Sequence, residues 1–167
     1  MPDINLLTPD DWRTLRKIRL SALSESPHAF LSTYEKEIEY DESKWRAEFA
    51  RGDWYVGMIK VGSADKPVSV AGITRESDTP PHQRFLQNVW VAPEFRRQGV
   101  AFNMIKEVLD RLKLSGVRTV LLGVLDGNSS AMGLYMRLGF VSCNSRQPLK
   151  GFPGRSEEIM QLNLGKT

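Results

Sequence analysis

The sequence contains little cysteine and histidine, and it has no long apolar run. It has one cysteine, Cys143, and two histidines in 167 residues. A single cysteine cannot form an internal disulfide, and no second thiol is available to share a metal with it. No stretch approaches the roughly 18 consecutive apolar residues that span a bilayer, and no basic, apolar leader follows Met1. We therefore expect a soluble cytoplasmic protein with no membrane partner and no bound metal.

An excess of charge of one sign is also missing. The chain has 23 basic and 20 acidic residues, a net charge of +3, and both signs are scattered along it. Because nucleic-acid surfaces concentrate positive charge on one face, this balance predicts no nucleic-acid partner. The length and the hydrophobic content of 41% suit one α/β domain over residues 1–167. A domain of that size buries roughly two thirds of its unfolded surface.

Local sequence signals predict the order of helices and strands. The run Thr8-Pro9-Asp10-Asp11 predicts a helix start, because threonine caps, proline suits the first turn and acids favour the positive end. That helix should end in residues 24–27, and a less regular helical segment follows in residues 35–50. The other predicted helices cover residues 100–114 and 129–138, and the predicted strands cover 54–61, 68–74, 85–91, 117–124, 140–144 and 157–164. This order predicts a mixed sheet with helices packed on it.

One strand-to-helix junction, residues 92–101, has the features of an anion site. The first turn of a helix leaves backbone N–H groups without partners and concentrates positive dipole, so the main chain can hold a pyrophosphate. Arg96 and Arg97 add positive charge, and the small residues Gly99 and Ala101 permit close approach. No Lys-Ser/Thr pair follows, and the G-x-G-x-x-G spacing is absent. A P-loop and a dinucleotide-binding fold are therefore not predicted.

The string R-R-Q-G-V-A in this junction resembles the R/Q-x-x-G-x-G/A acetyl-CoA signature of the GCN5-related N-acetyltransferase (GNAT) superfamily. The preceding N-V-W-V-A-P-E-F is similar to the family's fourth strand, and D-G-N-S-S-A-M-G-L-Y-M-R-L-G-F to its second conserved segment. Together these lie in residues 85–140, about a third of the chain. The resemblance implies an α/β (α+β) fold in a single domain. Its central sheet would be mixed, mostly antiparallel, with about seven strands and about four flanking helices.

The resemblance also implies which residues bind acetyl-CoA. The backbone of Val89, Trp90 and Val91 would pair with the pantetheine arm like an added strand. The pyrophosphate would be held, chiefly by main-chain N–H groups, at Arg96, Arg97, Gln98, Gly99, Val100 and Ala101. Phe102 departs from the pattern, since the family often has a small or polar residue there.

A second set of residues follows from the second conserved segment. Asn128 would hydrogen-bond the cofactor arm, Ala131 would leave room for it, and Tyr135 would present its hydroxyl to the sulfur as the catalytic acid. Their spacing of three and four places them along one side of a helix. The structural alternatives are that Asn128 caps this helix and that Tyr135 is a core aromatic.

The sequence does not identify the general base. A free alkylamine has a pKa near about 10 and is mostly protonated at neutral pH, so a base must remove a proton. Some family members carry a glutamate on the fourth strand, where this chain has Gln87. Glu35, Glu37 and His82 stay as candidates. Covalent catalysis by Cys143 is disfavoured, because no histidine is near it in the sequence.

The sequence does not identify the acceptor, because the charged residues near the expected acceptor site favour different substrates. Acidic residues in 35–41 could attract a cationic amine, whereas Lys150 and Arg155 could favour a carboxylate. We predict an N-acetyltransferase that transfers the acetyl group of acetyl-CoA directly to a primary amine of a small molecule. Acetylation of a peptide or protein amino group, and acyl-CoA binding without turnover, are the alternatives. A homodimer also stays open.

Overall fold

The computed structural model describes residues 1–165, which form two compact units. The first unit takes residues 1–74 and 88–107, and the second takes residues 75–87 and the chain from 108 onward. The strands are β1 Asp3–Leu6, β2 Gly52–Val61, β3 Ala64–Thr74, β4 Gln83–Val91, β5 Thr119–Leu125, β6 Val141–Pro148 and β7 Ser156–Asn163. The helices are α1 Trp12–Glu25, α2 Tyr34–Glu37, α3 Glu42–Ala47, α4 Val100–Leu114 and α5 Ser129–Arg137.

The hydrogen-bonded order of the strands is β1-β2-β3-β4-β5-β7-β6. This seven-stranded sheet contains one recorded parallel pairing, β4 with β5, among antiparallel ones. The predicted α/β fold with a mixed, mostly antiparallel sheet is confirmed. Within residues 1–165 there are five α-helices rather than about four, since residues 34–47 form two short helices. None of the helices described has the length and apolarity that crossing a bilayer requires.

Helix α1 provides much of the core of the first unit. Thr8 donates its N–H to Asp11 Oδ2 over 2.8 Å, so the predicted start signal is used, in a 3-10 turn just before the helix. Leu15, Ile18 and Ala22 recur at helical spacing and are at most 1% exposed. They pack with buried residues of β2 and β3, which fixes the helix on this part of the sheet.

Strands β2 and β3 form a hairpin that is longer than predicted. The predicted strands, 54–61 and 68–74, leave residues 62–67 for the connection, but Ala64 pairs with Val61 and Lys66 with Ile59. Gly62 has φ +63°, which glycine adopts without a side-chain clash, so two residues suffice for the turn. Pro67 lies beside a register shift between Gly57 and Met58, where an interrupted ladder tolerates a residue without an N–H.

The first unit also buries an ion pair. Arg19 of α1 and Glu37 of α2 are 6% and 5% exposed, and Arg19 Nη2 lies 2.6 Å from Glu37 Oε1. Arg19 Nε donates to the other carboxylate oxygen over 3.2 Å, and Nη1 donates to Asn88 Oδ1 over 3.0 Å. Asn88 has φ +56° within β4. One guanidinium therefore ties two helices to an irregular point of the strand.

The second unit is built on β5. Phe85 of β4 pairs in parallel with Leu121, and this is the last of the three recorded β4–β5 pairs. Strand β5 continues to Leu125 and pairs along its whole length with β7, which in turn pairs with β6. Val120, Leu122 and Val124 are at most 3% exposed, so one face of β5 is core. Leu121, Gly123 and Leu125, on the other face, are partly or fully exposed.

Candidate functional site

The junction between β4 and α4 bends sharply before the helix begins. After a 3-10 turn, Pro93–Phe95, Arg97 has φ +59° and Gly99 has φ +79°. The carbonyl of Gly99 accepts both the N–H and the side-chain Nδ2–H of Asn103, each over 2.9 Å. Helix α4 begins at Val100, the predicted position.

This bend leaves a row of main-chain donors open. In the described part of the chain, no protein acceptor is in hydrogen-bonding geometry with the N–H groups of residues 97–101. Arg97, Gln98 and Gly99 are exposed, whereas Val100 is buried and anchors the first turn of the helix. Five donors at the positive end of a 15-residue helix form a site suited to an anion with several oxygens.

Arg96 differs from its neighbours in this junction, because the protein already engages its donors. Its N–H donates to Pro93 O over 3.2 Å, and its Nε donates to Val91 O over 2.9 Å. Its Nη2 lies 2.6 Å from Glu25 Oε2, and its Nη1 lies 3.2 Å from Glu25 Oε1. The Arg96 side chain thus holds the junction to the end of β4 and to the last residue of α1.

Glu25 collects further donors at the same place. Trp90 Nε1 donates to Glu25 Oε2 over 2.9 Å, and the hydroxyl of Ser26 donates to the same oxygen. The hydrogen bond from Arg96, followed by that from Ser26, lowers the pKa of Glu25 to about 2. Glu25 is not predicted from the sequence, because nothing in the spacing of α1 relates its last residue to residues 90 or 96.

The strand predicted to receive the pantetheine arm runs through residues 89–91. Trp90 and Val91 are 7% and 8% exposed, and Val89 is half-buried. The left-handed backbone of Asn88 interrupts the regular strand just before them, and Arg19 holds its side chain. The first unit therefore brings together all the predicted cofactor residues from Val89 to Ala101.

The remaining predicted residues lie in the second unit, on α5. Asn128 Oδ1 accepts the N–H of Ala131 over 3.1 Å, so Asn128 caps the helix. The structural alternative considered for Asn128 is thus present, and it leaves the Asn128 amide N–H₂ available. Ala131 is half-buried, one turn before Tyr135.

Tyr135 is a buried aromatic residue whose hydroxyl has a raised pKa. It is 8% exposed, and its ring meets Phe140 edge to face, with centroids 5.8 Å apart. Burial raises the pKa of Tyr135 to about 12. The phenol is therefore protonated throughout the physiological range, as a tyrosine with the ordinary pKa also is.

The candidate bases predicted from the sequence differ in their burial and in their partners. Both carboxylate oxygens of Glu37 are bound by Arg19, so Glu37 is part of the buried ion pair. Gln87 is exposed on β4 and, as an amide, takes up no proton. Glu35 and His82 are exposed. Across residues 1–165, no group of three or more His, Cys, Asp or Glu side chains is arranged to hold a metal.

The sequence profile of the Acetyltransferase (GNAT) family matches residues 12–140. Similar curated proteins include thialysine N-epsilon-acetyltransferase of Bos taurus, 40% identical over 78 residues, which are 47% of this chain and 46% of that protein. L-2,4-diaminobutyric acid acetyltransferase of Vibrio parahaemolyticus is 36% identical over 63 residues, 38% of this chain and 35% of that protein. Ribosomal protein bS18-alanine N-acetyltransferase of Escherichia coli K12 is 36% identical over 62 residues, 37% and 42% of the two chains. The chain thus matches less than half the length of each.

Solved structures show the same fold over the whole chain. A GNAT acetyltransferase from Streptococcus pneumoniae has a TM-score of 0.78 at 16% identity and covers 99% of this chain and 100% of its own. The yncA protein of Salmonella typhimurium, solved with its cofactor acetyl-CoA, has a TM-score of 0.75 at 17% identity, covering 100% and 96%. The ribosomal-protein-S18-alanine N-acetyltransferase of Escherichia coli has a TM-score of 0.69 at 22% identity, covering 100% and 96%.

Proposed function

This chain belongs to the acetyltransferase (GNAT) family, and on that premise we propose that it transfers the acetyl group of acetyl-CoA to a primary amine. The observation that carries the proposal is the row of open main-chain donors at residues 97–101. A diphosphate presents several anionic oxygens, and N–H groups at a helix N-terminus can bind them without a side chain in between. Arg97, exposed beside these donors, adds positive charge.

The residues of the first unit suit the rest of the carrier as well. The main chain at Val89, Trp90 and Val91 would bind the pantetheine arm by strand addition, with their side chains packed in or near the core. Arg96 and Glu25 would act as positioning residues, since they fix the end of β4 relative to the phosphate-binding turn. In the second unit, Asn128 and Ala131 would contact the arm.

Direct transfer needs an acid for the leaving sulfur. The amine nitrogen attacks the thioester carbon, a C–N bond forms, and the C–S bond then breaks with its electron pair on sulfur. Tyr135 donates its phenolic proton to that thiolate, since the phenol is protonated at neutral pH. A base takes the proton lost by the nitrogen, so the products are an amide and a free thiol.

For the acceptor, we propose a primary amine of a small molecule. Two similar proteins are named for small amino acids, thialysine and L-2,4-diaminobutyric acid. A third is named for an alanine of the ribosomal protein bS18, and this favours a peptide amine as the second candidate. These three acceptors form the panel for the assays below.

The test replaces Tyr135 with phenylalanine. We expect Tyr135→Phe to lower kcat by about 10²-fold or more, the range expected for loss of an acid–base group. CoA should raise the melting temperature of the variant and of the wild type alike, since the phenol is not needed for binding. Thiol release with the three-acceptor panel measures turnover. Tyr55→Phe is the matched control, because Tyr55 is similarly buried, at 4% exposure, in β2.

Three results would contradict parts of this proposal. Equal turnover by Tyr135→Phe and the wild type would remove Tyr135 from its role. CoA binding without turnover on any acceptor would favour an acyl-CoA-binding module. A wild type whose melting temperature does not respond to CoA would refute the cofactor site.

A further inference from the structure

The proposed transfer requires a base for the amine proton. The second unit contains a carboxylate with no role so far, that of Glu157, beside the end of β5. This inference rests on the proposed function. Strand β5 is paired with β4 only as far as Leu121, and its last four residues extend beyond that pair. The loop after β5 leads directly to Asn128, whose N–H donates to Leu125 O over 3.0 Å. The extension therefore ends where the residues proposed to meet the cofactor arm begin.

Gly123 lies in the middle of this extension. Because it has no side chain, it leaves a space that a side chain of a neighbouring strand fills. A methyl group built on Gly123 would overlap the carboxylate of Glu157, which reaches over from β7. Glu157 is paired with Leu125, so its side chain is on the same face as Leu125 and Gly123. This is the face of β5 that the core does not bury.

Glu157 is held in place by a neutral partner. Gln147 Nε2 donates to Glu157 Oε1 over 3.0 Å, and within residues 1–165 the carboxylate has no cationic partner. An amide donor orients a carboxylate without neutralising it, which leaves the second oxygen able to accept a proton. Half-buried and directed over a glycine backbone, Glu157 has the access that a base needs.

The neighbouring carboxylates of the second unit are engaged otherwise. Asp126 forms an ion pair with Arg146 over 2.8 Å and accepts the hydroxyl of Ser156. Glu158 is paired with Val124 on the buried face, and its Oε1 accepts the hydroxyl of Ser142 over 2.7 Å. In the first unit, Arg19 binds both oxygens of Glu37.

We propose that Glu157 is the general base of the acetyl transfer, placed on β7 and admitted to the open face of β5 by the absence of a side chain at Gly123. The carboxylate accepts the proton from the attacking nitrogen as the C–N bond forms. Tyr135 supplies the other proton to the departing sulfur, so one proton enters and one leaves the protein per turnover. Exchange with solvent restores both groups.

The experiment compares Glu157→Gln with Glu158→Gln, an adjacent isosteric change on the opposite face of the same strand. We expect Glu157→Gln to lower kcat by about 10²-fold or more near neutral pH. CoA should still raise its melting temperature as in the wild type. The loss should shrink as the pH rises towards the amine pKa near about 10, because a growing share of the amine is then already neutral. Glu158→Gln should keep the wild-type pH profile.

Gly123→Ala provides a second variant, which keeps the glutamate at position 157 but should displace its carboxylate. The added methyl group occupies the position of the carboxylate, and we expect a lower kcat with an unchanged response to CoA. Turnover by Glu157→Gln equal to that of Glu158→Gln would overturn the proposal. Loss of the CoA response in Glu157→Gln would overturn it too, since Glu157 would then shape the cofactor site. A wild type that acetylates none of the three acceptors would refute the proposed function itself, and the base would fall with it.

Discussion

At the scale of single residues, Glu25 binds two side chains that are far from it in the sequence. It accepts hydrogen bonds from Arg96 and Trp90, 71 and 65 positions away. The pKa of Glu25 is lowered from 4.5 to about 2, because Arg96 and the other donors favour the charged form. A carboxylate with a lowered pKa contributes its stabilisation above the unfolded value and loses it as the pH falls through the folded value.

Replacing Glu25 with glutamine should therefore have an effect that depends on pH. We expect Glu25→Gln to raise the KM for acetyl-CoA, because Arg96 loses its charged partner and the turn before α4, which we propose binds the diphosphate, is held less firmly. The difference in melting temperature between wild type and variant should be constant above about pH 5. It should shrink as the pH falls from 4.5 towards 2. Thermal unfolding at stepped pH values measures this difference.

Glu94→Gln is the control for that prediction. Glu94 also belongs to the junction and pairs with Lys66 over 3.2 Å, but both side chains are about half exposed. A rise in the KM for acetyl-CoA as large as that of Glu25→Gln would mean that any loss of negative charge here weakens binding. The positioning role of Glu25 would then be wrong.

At the scale of elements, the turn that precedes α4 depends on backbone that ordinary residues disfavour. Gly99 has φ +79°, and its carbonyl begins the hydrogen bonding of the helix through Asn103. A Cβ at this position would lie 3.3 Å from Asn103 Nδ2. We expect the N–H groups of residues 97–101 to stay free of protein acceptors only while this conformation is kept.

Alanine at position 99 should weaken both the turn and the binding of CoA. We expect Gly99→Ala to lower the free energy of unfolding by about 1–2 kcal/mol, the cost of a left-handed backbone for a residue with a Cβ. CoA titration by calorimetry should also show reduced affinity. Gly62→Ala, at φ +63° in the β2–β3 turn with open space around it, imposes similar strain elsewhere. Equal CoA affinity in the two variants would contradict the role of the turn.

At the scale of the whole molecule, a buried ion pair is a feature whose loss should cost much stability. Arg19 contacts Glu37 and Asn88, and its guanidinium also lies 5.2 Å from the ring centroid of Phe30 and 5.7 Å from that of Trp54. Removing one partner of a buried pair leaves a charge without compensation in a poorly solvated site. The structure therefore depends on the pair being complete.

We expect Arg19→Met to lower the free energy of unfolding by roughly 3–5 kcal/mol, measured by chemical denaturation. The double variant Arg19→Met/Glu37→Leu should recover part of that loss, because no buried charge is left unpaired. Arg46→Met, which removes exposed ion pairs with Asp10 and Glu42, should have a much smaller effect. A double variant that is no more stable than Arg19→Met would contradict this account.

Features that depend only on residues close together in the sequence could be predicted. The start of α4 at Val100, the glycine before it and the capping position of Asn128 follow from local patterns, and the structure has them at those residues. The family resemblance was likewise found in two short, continuous segments of the sequence. Main-chain donors at a helix start are created by the helix itself, so a strand, a glycine and a helical period are enough to locate them.

The sequence by itself thus determined the family and the fold class, and it located the turn before α4 that we propose binds the diphosphate. Tertiary structure alone decided that Arg96 is tied to Glu25, that Arg19 binds Glu37, and that Glu157 lies over Gly123. The last of these joins positions 34 residues apart on β5 and β7, counted along the sequence. Periodicity and capping report which face a residue takes within its own element. Which side chains meet across elements depends on strand register and helix packing, and these are set by burial of the whole apolar surface at once.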